Sequence, residues 1–215
     1  MKLMLWIIKI TGIIPELIYF KKKVYYVNKK IKKRKYPAVL VSNHTAVMDF
    51  ALYMFTFYNR TIRPVAAEIL YNKNPFMTFM LKCVGAIRVD RDKYDFNFIN
   101  KSIEVLNKKD DVIIFPEGRI SPTKEVLDFK PSFVEIALEA DVPIIPAYTN
   151  GCYGKKAHAR VIIGEEINVA KLYDNKLSKN ENLINISNYI RNIIIELGDK
   201  LYAIEQKQKK DSTNS

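Results

Sequence analysis

The hydrophobic pattern of the chain predicts short strands that alternate with helices from residue 37 onward. Runs rich in apolar and β-branched residues occur at 37–41, 61–67, 85–91, 111–115, 142–146 and 159–163. Between them, apolar residues recur at helical spacing at 50–55, from residue 75, at 95–109, at 133–140 and at 181–204. This alternation is typical of α/β proteins and predicts a mixed, largely parallel sheet flanked by helices. Pro64 indicates that the second strand lies at an edge or begins there.

The first 35 residues differ in character from the rest of the chain. Residues 3–14 are strongly apolar, although Lys9 and Gly12 interrupt them, and Pro15 then suits the start of a second helix. From there a helical stripe of apolar residues is flanked by lysines, and its members are Leu17, Phe20, Val24, Val27 and Ile31. We predict two short amphipathic helices that lie on a membrane surface. The alternative is an apolar arm packed on the protein's own core.

Neither a membrane span nor a secretion signal is expected in this segment. The apolar stretch is too short and too interrupted for a confident span, and it lacks a small-residue cleavage site. The chain ends in a polar stretch. The predicted organisation is therefore a membrane-associating helical segment at 1–35, one globular domain at 36–205 and a disordered tail at 206–215.

The positive charge of the chain is concentrated in the N-terminal segment. The formal net charge is +12, and residues 21–35 hold nine Lys and Arg residues with no acidic residue. Such a patch suits phosphates, whether of an anionic bilayer or of nucleic acid. The two cysteines, Cys83 and Cys152, have no paired spacing, which fits a reducing compartment and argues against a disulfide framework or a zinc site.

Three clusters of polar residues follow predicted strands, where α/β proteins gather their chemistry. The first contains His44 and Asp49, with the histidine in a turn and the aspartate in the first turn of a helix. An aspartate bonded to one ring nitrogen leaves the other nitrogen free as a general base. The alternative is a surface histidine near a helix cap. The backbone N–H groups at this helix start are candidate donors for an oxyanion.

The other two clusters add positive charge and a carboxylate. They consist of Arg88, Asp90 and Arg91, and of Glu117 and Arg119. Two arginine-bearing clusters beside a histidine base indicate an anionic partner, most simply a phosphate. The chain has no Gly-x-Ser-x-Gly elbow and no nucleotide-type glycine loop, and two histidines cannot make a His-rich metal site. We therefore expect neither a metal nor a cofactor.

Four sequence blocks, in this order, resemble those of the glycerolipid acyltransferases typified by 1-acylglycerol-3-phosphate acyltransferase. The residues that carry the resemblance are Asn43 with His44-x4-Asp49, then Gly85 through Arg91, then Phe115-Pro116-Glu117-Gly118, then Val142-Pro143-Ile144-Ile145-Pro146. The blocks run from about residue 37 to 150, over half of the chain. A His-x4-Asp spacing alone is weak, whereas four blocks in order are specific.

The resemblance implies an activity and a role for each matched residue. His44 takes the proton from the acceptor hydroxyl while Asp49 orients it, and the acceptor oxygen attacks an acyl thioester without a covalent acyl-enzyme. The acceptor's glycerol phosphate is held by Arg91, Glu117, Gly118 and Arg119. Supporting positions are Asn43, Gly85, Pro116 and Pro146, the last of which borders the acyl site.

The chain departs from the family's third block. Gly118-Arg119-Ile120-Ser121 stands where Gly-Thr-Arg-Ser is usual, and Pro131-Ser132 stands where a glycine is common. The implied acceptor is lysophosphatidic acid, which would give phosphatidic acid for phospholipid synthesis, and the alternative is another lysophospholipid or lipid alcohol. The donor could be acyl-CoA, acyl carrier protein or acyl phosphate.

The expected location is the cytoplasmic face of the cell membrane, as a peripheral or monotopic protein on an anionic surface. A rival from another class is a basic, non-catalytic module that binds membrane or RNA through residues 21–35. That rival explains the charge but leaves the three polar clusters behind strands unexplained, so we expect no nucleic-acid partner.

Overall fold

The computed structural model describes residues 2–90, 96–154 and 158–213. Seven strands form one sheet in the order β1-β7-β6-β2-β5-β3-β4. In chain order they are β1 Lys23–Tyr26, β2 Val39–Ser42, β3 Ile62–Ala67, β4 Ile87–Val89, β5 Asp111–Ile114, β6 Ile144–Thr149 and β7 Arg160–Ile163. All neighbouring pairs are parallel except β6 with β7, which confirms the predicted mixed, largely parallel sheet.

Helices cover both faces of this sheet. They are α1 Lys2–Tyr19, α2 Asp49–Thr56, α3 Glu68–Tyr71, α4 Pro75–Val84, α5 Phe96–Asn107, α6 Ser132–Glu139 and α7 Lys179–Thr213. On β2, Leu40 faces a core shared with α1 and α2, whereas Val39 and Val41 face a core shared with α5, α6 and α7. Because successive strand residues point to opposite faces and both faces are covered, the central strands are apolar at most positions.

Pro64 lies inside the sheet, so the prediction of an edge strand was wrong. It is opposite Ile113 of β5, while the pairing of β3 with β4 begins one residue later, at Val65. The missing N–H of the proline therefore falls where β3 changes from one neighbour to the other, and the sheet accommodates it there.

The predicted N-terminal helices are present, but their extent differs from the prediction. α1 runs through Pro15 to Tyr19, and a short 3₁₀ helix covers Lys29–Lys33. Between them, the part of the predicted second helix at 23–26 forms β1, which pairs with β7. Residues 24–27 are β-branched or aromatic, which favours a strand once an edge is available. The segment 1–35 therefore shares the sheet of the rest of the chain.

The described part of the predicted disordered tail is helical. α7 continues to Thr213, because residues 205–210 are good helix formers and Gln208 bonds to β1. The Gln208 side chain accepts a hydrogen bond from Lys23 Nζ at 3.0 Å and donates one to the Tyr25 hydroxyl at 3.0 Å.

A buried ionic cluster closes the sheet at the amino end of β5. Asp111 accepts a two-fold contact from Arg34, with distances of 2.8 and 2.6 Å, and a second one from Arg60, with distances of 2.9 and 3.1 Å. The Arg34 and Asp111 side chains are almost fully buried, so each requires the other. The Arg34–Asp111 pair joins the N-terminal segment to the centre of the sheet. It lies at the amino end of β5, whereas the polar clusters follow the carboxyl ends of the strands.

Candidate active site

The turn between β2 and α2 carries the first sequence block. β2 ends at Ser42 and α2 begins at Asp49, so His44 lies in the turn as expected. The Asn43 side chain anchors this turn to β6: its Nδ2 donates to the Thr149 carbonyl oxygen at 2.9 Å, and the Thr149 N–H donates to its Oδ1 at 2.9 Å. Both residues are buried, so this pair of bonds fixes the end of β2 against its neighbour.

His44 and Asp49 meet, as their spacing predicts. The His44 Nδ1 lies 2.9 Å from Asp49 Oδ2, and the imidazole stacks on the Phe115 ring with centroids 4.4 Å apart. A carboxylate only accepts hydrogen bonds, so Nδ1 carries the proton of the neutral ring and Nε2 keeps a lone pair. Nε2 has no hydrogen-bond partner within the described part of the chain, and 15% of the His44 side chain is exposed. The arrangement suits a general base.

Asp49 is fully buried and receives hydrogen bonds on both carboxylate oxygens. Besides His44, its Oδ2 accepts from the backbone N–H groups of Thr45 at 2.7 Å and Ala46 at 2.9 Å. Its Oδ1 accepts from the Thr45 hydroxyl at 3.1 Å and from the Tyr153 hydroxyl. These donors satisfy the ionised carboxylate that burial would otherwise penalise.

Three backbone N–H groups of this turn, those of residues 44–46, are not free to bind an oxyanion, so the expectation fails for them. The N–H groups of Thr45 and Ala46 donate to Asp49, and the His44 N–H donates to Glu117 Oε1 at 2.9 Å.

Glu117 contacts the histidine turn from the loop that follows β5. Only 7% of Glu117 is exposed, and its carboxylate anchors the His44 backbone. Burial raises the pKa of the Glu117 carboxyl, and hydrogen bonds from backbone N–H groups, that of His44 first among them, offset part of the rise. The next residue, Gly118, has a φ of 69° and closes the turn with its N–H on the Phe115 carbonyl oxygen at 3.1 Å.

A groove beside this loop collects positive side chains. It has a volume of about 700 Å³, and Glu117 and Gly118 lie on its wall. Its basic lining residues are Arg119, Lys130 and Arg191. Arg119 and Lys130 are exposed, whereas Arg191 of α7 holds the loop through hydrogen bonds of 2.8 and 2.9 Å to two of its carbonyl oxygens. Three acidic residues, Glu117, Glu125 and Asp128, line the same groove, so its charges are mixed. Arg119 and Lys130 are the exposed basic side chains there that an anion next to the histidine turn could contact.

The remaining predicted site residues are less central. Gly85 ends α4 with a φ of 65°, and a Cβ there would lie 2.5 Å from an Arg63 nitrogen, so its place is structural. Pro146 is buried in β6 opposite Val41. Arg91 lies outside the described residues. Within the described ranges, no group of three or more His, Cys, Asp and Glu side chains is placed to hold a metal ion.

The structure also adds site residues that the sequence did not reveal. Tyr153 reaches Asp49 from 104 residues further along the chain, and Thr149 reaches Asn43 from 106 residues away. Lys130 joins Arg119 in the groove. No local pattern marks these residues, because only the pairing of β6 beside β2 brings the first two to the turn.

Comparisons with known proteins find relatives of this chain by sequence. An acyltransferase family model matches residues 23–150. The 1-acyl-sn-glycerol-3-phosphate acyltransferase of Cocos nucifera is 29% identical over 119 residues, 54% of this chain and 38% of that protein. The probable 1-acyl-sn-glycerol-3-phosphate acyltransferase of Mycoplasma genitalium is 24% identical over 201 residues, 86% of this chain and 75% of that protein.

A solved structure shares the fold. The crystal structure of the 1-acyl-sn-glycerophosphate (LPA) acyltransferase PlsC from Thermotoga maritima superposes with a TM-score of 0.62 at 22% identity, covering 83% of this chain and 73% of that one. The chain spans about two fifths of the length of the plant relatives that it matches. Because the family model covers more than half of the chain, the protein belongs to the acyltransferase family.

The burial of Glu117 leads to a prediction about the pH dependence of stability. Its pKa is above the ordinary 4.5 in the folded protein, so on raising the pH the unfolded chain loses this proton first and the free energy of unfolding falls. Glu117→Gln removes the titration. From about pH 4.5 upward, the wild type is therefore expected to lose stability relative to the variant in urea unfolding.

Glu139→Gln, at an exposed glutamate of α6, is the matched control and is expected to follow the wild type. A wild type that instead gains stability relative to Glu117→Gln as the pH rises would show that the fold favours the ionised carboxylate.

Proposed function

We propose that the protein transfers a fatty acyl group from an acyl thioester to the free hydroxyl of lysophosphatidic acid, giving phosphatidic acid. The observation that carries the proposal is the His44–Asp49 pair, in which the aspartate is buried and the histidine is partly exposed. It lies beside a groove that holds the exposed Arg119 and Lys130 side chains. The names of the relatives support the same reaction.

In the proposed reaction, His44 Nε2 accepts the proton of the acceptor hydroxyl as its oxygen attacks the thioester carbonyl carbon. The C–O ester bond forms and the C–S bond breaks, and the imidazolium returns the proton to the departing thiolate. Asp49 keeps Nδ1 protonated and supports the positive charge of the ring. Glu117 contributes by holding the His44 backbone, which fixes the ring relative to the groove.

The acceptor phosphate is assigned to this groove. Arg119 and Lys130 are exposed there and stand next to Glu117 and Gly118, so a phosphate in the groove would lie near the histidine turn. We also assign Arg91 to this phosphate. Acyl-CoA and acyl carrier protein both meet the requirement for a thioester donor, and acyl phosphate would replace the thiolate by phosphate as the leaving group.

Membrane association is part of the proposal, and the surface of α1 supports it. Its exposed side carries Leu3, Ile7, Ile10, Ile14, Leu17 and Ile18, whereas Leu5 and Lys9 are buried against the protein. Among the described residues, no helix is both long and apolar enough to cross a bilayer. An apolar helix face followed by the basic residues of 21–35 fits a helix lying in the headgroup region at the cytoplasmic face.

The first activity test addresses the base. With lysophosphatidic acid and both thioester donors, mass spectrometry of the lipid products is expected to detect phosphatidic acid with the wild type. His44→Ala is expected to lower turnover by about 10²- to 10⁴-fold, the usual contribution of a general base, and Asp49→Asn should lose a large part of it. The matched control is His158→Ala, at the other, exposed histidine, which should keep wild-type turnover.

A folded His44→Ala variant that turns over normally would rule out the histidine as base. If the wild type did not acylate lysophosphatidic acid with either thioester donor, acyl-CoA or acyl carrier protein, the proposed reaction would be ruled out.

The second activity test addresses the acceptor phosphate. Arg119→Ala is expected to raise the Michaelis constant for lysophosphatidic acid and to leave that for the donor unchanged. The loss in acceptor efficiency should be about 10- to 150-fold, the value of one charge-assisted hydrogen bond, and Arg119→Lys should recover only part of it. Arg91→Ala should show the same acceptor-selective loss, and Lys200→Ala, on the exposed side of α7, is the control.

If Arg119→Ala left the acceptor efficiency unchanged while Arg91→Ala lowered it strongly, Arg119 would be a surface residue that does not take part in acceptor binding. Another lysophospholipid or a lipid alcohol would then become the favoured acceptor, since the departure at Gly118-Arg119 is the point where this chain differs from the family pattern.

The membrane test changes only the exposed face of α1. Deleting 1–35 would also remove β1 and Arg34, so the structure argues against that variant. The triple change Ile7→Gln, Ile10→Gln and Ile14→Gln is instead expected to release the protein from anionic vesicles in sedimentation assays. Salt alone should weaken binding without abolishing it, because each near-surface lysine contributes about 1 kcal/mol and the apolar face remains.

The matched control carries three glutamines on α7, at exposed apolar positions 184, 189 and 202. It should sediment like the wild type. Full sedimentation of the α1 variant would show that this face does not bind the membrane.

A further inference from the structure

The loop after β6 brings a tyrosine hydroxyl to the buried aspartate of the site. Tyr153 donates a hydrogen bond to Asp49 Oδ1, on the oxygen that does not contact His44. We propose that Tyr153 is a positioning residue for the base: it fixes the plane of the Asp49 carboxylate and, through it, the imidazole of His44. This inference rests on the proposed acyl transfer and adds a residue to it.

The two oxygens of Asp49 are held by different kinds of donor. Oδ2 accepts from two backbone N–H groups and from His44 Nδ1. Among the described residues, the donors to Oδ1 are both hydroxyls, those of Thr45 and Tyr153. The terminal torsion of an aspartate is broad, so the carboxylate can turn about its last bond. A donor fixed on Oδ1 opposes that rotation and keeps Oδ2 directed at the imidazole.

The tyrosine is itself held in place. Its ring packs edge-on against Phe20, with centroids 5.5 Å apart and planes at 71°. The preceding Gly151 has a φ of 62° and lies so close to the turn that a Cβ there would be 2.3 Å from the Thr45 hydroxyl oxygen. The backbone of this loop therefore packs directly against the histidine turn, which leaves the Tyr153 hydroxyl little freedom to move away from Asp49.

The protonation state of Tyr153 fits a permanent donor. Burial, with the charge of Asp49 as a smaller cause, raises the pKa of the Tyr153 phenol, so the hydroxyl keeps its proton at every pH at which the enzyme would work. A group that takes part in proton transfer must gain and lose its proton, whereas this phenol stays protonated. Tyr153 therefore acts on the geometry of the base and not as an acid or base itself.

The loop also ties this contact to the end of α1. The Gly154 N–H donates to the Tyr19 carbonyl oxygen at 3.0 Å, and the Ala159 N–H donates to the Phe20 carbonyl oxygen at 2.8 Å. Thus the residues that follow the exposed face of α1 hold the loop that carries Tyr153. The same loop therefore contacts both the end of α1 and the aspartate that orients the base.

Tyr153→Phe tests the proposal because it keeps the ring and its contact with Phe20 and removes only the hydroxyl. Turnover of lysophosphatidic acid is expected to fall about 10-fold, in line with one lost hydrogen bond to a charged group. The Michaelis constants of acceptor and donor should stay within about two-fold, because the hydroxyl bonds to Asp49 and Tyr153 does not line the groove assigned to the acceptor phosphate. Thermal unfolding establishes that each variant is folded at the assay temperature.

The matched control is Tyr71→Phe. Tyr71 is also partly buried, and its hydroxyl donates to the Ala86 carbonyl oxygen at 2.9 Å, outside the histidine turn. Its removal should leave turnover unchanged. Equal losses in the two variants would show that any lost buried hydroxyl has this effect, and they would overturn the proposal.

A spectroscopic measurement separates the proposal from the proposed function. The chain has two histidines, so a spectrum of protein labelled with ¹⁵N-histidine is simple to assign by comparison with His158→Ala. The Nδ1–H signal of His44 should move or broaden in Tyr153→Phe and stay in place in Tyr71→Phe.

An unchanged signal together with unchanged turnover would overturn the role of Tyr153. A wild type with no transfer to lysophosphatidic acid would overturn the proposed function instead, and the Nδ1–H signal would still decide whether Tyr153 positions the pair.

Discussion

The buried carboxylate of Asp49 is the constraint on which the site depends. A charge without solvent must be met by hydrogen-bond donors, and here they come from His44, Thr45, Ala46 and Tyr153. Satisfying it therefore fixes the conformation of the β2–α2 turn and draws in the loop after β6. The same need removes these backbone N–H groups from any contact with substrate. The turn therefore presents the imidazole of His44, while its N–H groups at residues 44–46 serve the carboxylates of Asp49 and Glu117.

The sheet places its two charged regions at opposite ends. Asp111 and its arginines close the amino end of β5, and the loop with Glu117 and Gly118 leaves its carboxyl end. Because β2 and β5 are parallel neighbours, that loop comes to the same edge as His44. One end can then be locked by buried ion pairs while the other keeps an open groove.

The N-terminal segment has two faces with different partners. Leu5, Lys9 and Phe20 are buried against the protein, whereas the exposed side of α1 is apolar. The alternative of an arm packed on the core is right for its buried side, and the exposed apolar side is the surface that the membrane proposal uses. Its continuation as β1 makes it a part of the sheet.

The sequence by itself determined the fold class, the positions of six strands and the pairing of His44 with Asp49. These depend on short-range patterns, such as the buried run at 37–41 and a spacing of five residues across a turn. Tertiary structure decided the rest. The pattern at residues 23–26 predicts a helix, but these residues form a strand because they pair with β7. Tyr153 and Thr149 reach the site because β6 lies next to β2. Contacts between residues 100 positions apart leave no local pattern, since they are chosen by strand order and by the demand of a buried charge for donors.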